Sequence, residues 1–70
     1  MKKYYVNSDT SSNPRHDHEV HCEGCYWMPG ADKRIYLGQF SSATEAVNAA
    51  RVYYSNVDGC ATCCPEAHHG

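Results

Sequence analysis

Two short segments, His21-Cys22-Glu23-Gly24-Cys25 and Cys60-Ala61-Thr62-Cys63-Cys64, hold all five cysteines of the chain, and residues 26–59 between them contain neither cysteine nor histidine. Thiolate sulfur and imidazole nitrogen are preferred zinc ligands, and structural zinc sites are closed tetrahedra that commonly take two ligands from each of two turns distant in sequence. Cys60-x-x-Cys63 is the stronger half. Two intervening residues let both sulfurs reach one ion while the amides of the turn donate to sulfur and spread its charge. Cys64 sits next to Cys63, and adjacent side chains diverge, so the spacing favours Cys63 and leaves Cys64 as a small buried hydrophobe. In the first segment two pairs are open, Cys22 with Cys25 or His21 with Cys25. His16 and His18 read as exposed or outer groups on the approach to this turn. His68 and His69 read as solvated, with either able to substitute as a ligand.

The fold needs such a cross-link. A 70-residue chain buries only roughly 60% of the surface its unfolded form exposes. There is one Phe and one Trp, and six Tyr supply most of the bulky apolar area. A metal that binds only the folded chain adds on the order of 10 kcal/mol, enough to stabilise a marginal core. Disulfides are the rival cross-link, but five cysteines leave one over. Residues 1–6 are too short and polar for an apolar targeting core, so a reducing cytoplasm is the expected setting.

No stretch approaches the ~20 apolar residues of a membrane span, so no membrane association is expected. Net charge is −2, and the six cations are scattered as Lys2-Lys3, Arg15, Lys33-Arg34 and Arg51. Scattered cations make a poor phosphate-neutralising surface, which leaves nucleic-acid binding open but disfavoured. Paired carboxylates, a phosphate-cradling glycine loop and a serine nucleophile motif are all missing, so no enzymatic activity is expected. Six tyrosines and Trp27 exceed what so small a core can hold, and the surplus could contact a protein partner. A thiol-based redox or metal-responsive role for Cys22, Cys63 or Cys64 is a further alternative.

The elements that must position these ligands follow from local pattern. Tyr4-Tyr5-Val6 is a β-favouring run, expected at or near a sheet edge. Asn7 to Pro14 is polar turn chemistry and predicts an exposed loop, with disorder open for residues 8–14. His16 to His21 predicts a second strand ending at the first ligand turn, with Gly24 supplying backbone freedom and Trp27-Met28-Pro29 capping the core beside the metal. Residues 33–40 alternate, Ile35, Leu37 and Gln39 against Arg34, Tyr36 and Gly38, and form the clearest strand. Ser42-Ala43-Thr44-Glu45 matches a capping box and starts a helix over about residues 42–54, whose stripe is Ala43, Ala46, Val47, Ala50 and Tyr53 or Tyr54. Asn56 and Asp58-Gly59 end it, with Gly59 expected in the left-handed conformation. The prediction is a single α+β domain over residues 1–70: about three antiparallel strands and one helix, zinc-stabilised, with residues 64–70 as a flexible tail.

Val20-His21-x-x-x-Cys25, a strand ending in Phe40-Ser41-Ser42, Glu45-Ala46 on a helix and Cys60-x-x-Cys63 together resemble the small Ada-type metal-binding modules over residues 20–63. In those modules a His-or-Cys-x3-Cys turn and a terminal Cys-x2-Cys turn hold zinc beside a short sheet and one helix. The resemblance implies His21, Cys25, Cys60 and Cys63 as the ligands of one Zn²⁺. Asp58-Gly59 stands where those modules carry a basic residue and proline, and a histidine replaces the fourth cysteine of the DNA-repair member. Methyl-transfer chemistry is therefore not implied.

Overall fold

In a computed structural model describing residues 1–8 and 17–68, four strands and one helix form an α+β unit. The strands are β1 (Lys2–Asn7), β2 (His18–Cys22), β3 (Arg34–Phe40) and β4 (Val57–Gly59), and the helix α1 spans Ala43–Ala50. Short 3₁₀ turns occupy Ala31–Lys33 and Pro65–Ala67. Most of the polar loop expected over 7–14, together with His16 and His69, lies outside the described residues.

The sheet order is β3-β1-β2-β4. The β-rich run Tyr4-Tyr5-Val6 thus lies in the interior of the sheet and not at its edge, antiparallel to both β2 and β3. Interior placement buries one face of the run, with Tyr4 and Val6 turned to the core and fully or nearly fully buried. The fourth strand is additional to the three expected, and it runs parallel to β2 with His18 opposite Val57, Glu19 opposite Asp58 and Val20 opposite Gly59. Its sequence, Val-Asp-Gly, carries turn chemistry. A turn-like tripeptide becomes a strand here because β2 supplies a hydrogen-bonding edge, extended by His18 N–H to the Asn56 carbonyl (2.9 Å) and Cys60 N–H to the Val20 carbonyl (3.0 Å).

The alternation of β3 also changes phase. A register shift against β1 between Tyr4 and Tyr5 pairs them with Gly38 and Tyr36, leaving Leu37 as the extra residue of a bulge, and Gly38 takes φ +122° to make it. Ile35, Leu37 and Phe40 therefore pack against the core while Gln39 is exposed.

Helix α1 starts where the capping box predicts, with Ser42 Oγ accepting from Glu45 N–H at 3.4 Å. The reciprocal bond goes elsewhere: Glu45 Oε1 accepts from Ser41 Oγ (3.1 Å), and the amide of Ala43 donates to Glu66 Oε2 of the carboxy-terminal turn (3.2 Å). The helix ends at Ala50, four residues before the expected limit, and tightens into i→i+3 turns in which Val52 and Tyr53 N–H donate to Ala49 and Ala50. Ala43, Ala46, Val47 and Ala50 are buried as the stripe predicts. Tyr53 is exposed, and Tyr54 stacks on His18 with ring centroids 3.6 Å apart. Alanine at three of the four buried positions lets the helix lie close to Val6 and Val20 of the sheet.

Residues 64–67 are packed rather than tail-like. Cys64 and Ala67 join the core cluster, and His68 Nδ1 lies 3.0 Å from the Gly59 carbonyl oxygen. Gly59 is not left-handed. It is required because a Cβ there would meet Ala67 and the Cys64 carbonyl at 2.9 Å. Gly59→Ala should therefore push the Pro65–Ala67 turn off β4 and destabilise the fold by about 1–3 kcal/mol, read as a lower denaturant midpoint with unchanged slope. An unaltered midpoint would show that this close approach does not matter.

Candidate metal centre

The parallel pairing of β2 and β4 determines where the ligands go. With Val20 opposite Gly59, the next residues in register are His21 and Cys60, so both strands deliver a ligand at the same end of the sheet. The chain then turns on each side. Cys25 N–H donates to the Cys22 carbonyl (3.2 Å) and Cys64 N–H donates to the Cys60 carbonyl (2.8 Å), closing the two ligand turns. Gly24 takes φ +82° in the first of them, the left-handed backbone that a side-chain-bearing residue resists.

His21, Cys25, Cys60 and Cys63 each present one donor atom, and these atoms all lie within 4.8 Å of one another. His21 Nδ1 is 3.5 Å from Cys25 Sγ and 3.9 Å from Cys63 Sγ, and Cys25 Sγ is 4.0 Å from Cys60 Sγ. A tetrahedral ion about 2.3 Å from sulfur and about 2.0–2.1 Å from nitrogen spaces two sulfurs by about 3.8 Å and a sulfur and nitrogen by about 3.6 Å. The donors fit a metal ion. No disulfide joins any of the five cysteines.

The two alternatives at each turn separate by the face they occupy. Cys22 follows His21 on a strand, so its side chain points to the opposite side of the sheet, where it joins the hydrophobic core. Its amide nevertheless serves the site by donating to Cys63 Sγ at 3.4 Å. Cys64 is fully buried in the core, with Sγ 3.7 Å from Cys63 Sγ. Both are neighbours of the site and neither belongs to the donor cluster.

Around the cluster, His21 is almost entirely buried, and burial lowers its pKa below 6.5, keeping the imidazole neutral and able to donate a lone pair. Its other nitrogen, Nε2, faces Glu19 Oε1 at 3.8 Å. A carboxylate on the far side of a ligating imidazole orients the ring and raises its basicity. Burial raises the pKa of Glu19 itself. Sequence inspection missed Glu19, although Glu19-x-His21 on a strand places both residues on one face. Burial also pushes the Cys63 thiol well above its ordinary value, opposed in part by the Cys22 amide, and pushes Cys64 up to about 11.

Trp27 does not cap the core. It is 61% exposed and meets Tyr26 edge-on at 5.0 Å. His18 Nδ1 lies 2.8 Å from the Asn7 carbonyl oxygen, and His68 faces Asp58 Oδ2 at 3.3 Å. Neither histidine reaches the cluster. No helix among the described residues is long and apolar enough to cross a membrane. Comparison with protein-family models, curated proteins and solved structures finds no match.

Two outcomes are expected. Cys60→Ser should weaken metal binding by more than the ~10–100-fold typical of outer groups, Glu19→Gln by about tenfold, and Cys64→Ser little; competition titration against a chromophoric chelator would rank them. Cysteine ligates a metal as the thiolate, so metal uptake by a three-cysteine, one-histidine site should release protons, and affinity should fall as pH falls. The sign for His21 agrees. A depressed folded-state pKa gives stability that is full above the unfolded value and lost as pH falls through the folded one. Proton release in weakly buffered calorimetry checks this, and uptake without release would contradict it.

Proposed function

We propose that this chain is a small structural zinc module in which Zn²⁺ is held by His21, Cys25, Cys60 and Cys63. The observation that carries the reading is the convergence of four donor atoms from two turns within 4.8 Å. Three sulfurs and one imidazole nitrogen suit zinc, which takes tetrahedral thiolate and histidine sites without redox chemistry. Four protein ligands leave no open position for a substrate, so the metal acts on folding and the protein acts through its surface, as a binding or regulatory module rather than an enzyme. The reading is in keeping with the resemblance of residues 20–63 to Ada-type modules, and the thiolate donor set suits a reducing compartment such as the cytoplasm.

Native mass spectrometry of the purified protein tests the reading. One bound zinc per chain, lost on acid denaturation with five free thiols remaining, is the expected result. A metal-free native mass, or a mass two hydrogens lighter for each disulfide, would overturn it. His21→Ala should lose the ion and unfold over the range in which the parent protein remains folded.

A further inference from the structure

The cations scattered along the sequence are not scattered in space. Among the described residues, Lys2 and Lys3 lie on β1, Arg34 opens β3 beside Lys33, and only Arg51 lies elsewhere. The acids Glu19 and Asp58 are on β2 and β4, with Asp17 just before β2. The sheet is therefore divided into a basic half, β3-β1, and an acidic half, β2-β4. Glu23, which accepts from the Lys3 amide at 2.7 Å, and Asp32 mark the rim of the basic half.

On the sheet face opposite α1, the register places three rows across β1 and β3: Lys3 with Gln39, Tyr5 with Tyr36, and Asn7 with Arg34. Rows two residues apart are about 7 Å apart, so the aromatic row lies between the backbone positions of Lys3 and Arg34, which are about 13 Å apart along the strands. Tyr5 and Tyr36 are in ring contact at 5.2 Å, and Tyr36 is 51% exposed. The Arg34 guanidinium lies over Tyr5 with Cζ 4.7 Å from the ring centre, and its NH1 donates to the Pro29 carbonyl at 3.2 Å. Held on two sides, the guanidinium loses little freedom on meeting an anion, and among the described residues its one hydrogen bond, to Pro29, engages one of five donors.

We propose that this β1-β3 face binds single-stranded nucleic acid, with a base stacked on Tyr36 and the flanking phosphates on Arg34 and Lys3. Aromatic side chains on a sheet between cations are how single strands are held without sequence preference. A duplex keeps its bases stacked inside and cannot use Tyr36. None of these residues belongs to the donor cluster, so an ion would serve the fold that carries this face and not the contact itself.

The test is fluorescence anisotropy of a labelled oligothymidine titrated with the full chain at about 50 and about 200 mM salt, beside the duplex of the same length. Two phosphate contacts predict a log–log salt slope near −1.4, hence about sevenfold weaker binding at the higher salt. Tyr36→Ala should weaken binding at least about fivefold and Tyr36→Phe less than about twofold, since stacking needs the ring and not the hydroxyl. Arg34→Gln should reduce the slope by about 0.7. Tyr36 is exposed, so its variants keep the fold, which circular dichroism would verify. No binding at the lower salt, preference for the duplex, insensitivity to Tyr36→Ala, or concentration-dependent dimerisation abolished by Tyr36→Ala would each overturn the proposal. Metal content of the same samples reports separately on the zinc reading.

Discussion

A three-residue strand paired in parallel is a weak way to close a fold, yet the whole arrangement depends on β4 staying on β2. Parallel pairing is slightly less stable per residue than antiparallel pairing, and Val57–Gly59 offers few ladder bonds. What compensates is the ligand cluster at the end of that pair. His21 and Cys60 come from adjoining register positions, and Cys25 and Cys63 from the turns that follow. One ion bound there would tie four residues separated by up to forty-two positions in sequence, which would relieve every other contact in the molecule of the entropy of closing a long loop.

The remaining packing is consistent with a core that could not hold alone. Apart from Tyr4, its fully buried members are valines, alanines and cysteines, and the larger apolar groups Ile35, Leu37 and Phe40 are only partly covered. Alanines bring α1 close to the sheet, and Glu66 reaches from the last turn to the amide at the start of the helix. Cys64 and Ala67 then fill the space under β4. The carboxy-terminal segment thus serves two purposes, with Cys60 and Cys63 facing the donor cluster and Cys64 and Ala67 facing the core.

Much of this was legible in the residues because the governing signals are local. Cys60-x-x-Cys63 marks one half of the site, Cys25 with either His21 or Cys22 marks the other, with the choice between them set by the sheet face each occupies, and Ser42-Ala43-Thr44-Glu45 fixes where α1 starts. The α+β class follows from one helical stripe among short β-favouring runs. What could not be read is what depends on partners in space. Val57-Asp58-Gly59 has the chemistry of a turn and is a strand only because β2 offers an edge. Tyr4-Tyr5-Val6 is flanked by lysines as edge strands often are, yet lies in the interior of the sheet. The bulge at Leu37 breaks an alternation that looked regular. The grouping of Lys3 with Arg34 exists only in the antiparallel register of β1 and β3.

Backbone amide exchange with and without a metal chelator tests most directly whether the ion holds β4 in place. Removing the metal should expose the Cys60 and His18 amides, which bond across the β2-β4 seam to Val20 and Asn56, before or together with those of β1 and β3. Equal protection of those two amides in the loaded and metal-stripped protein would contradict it.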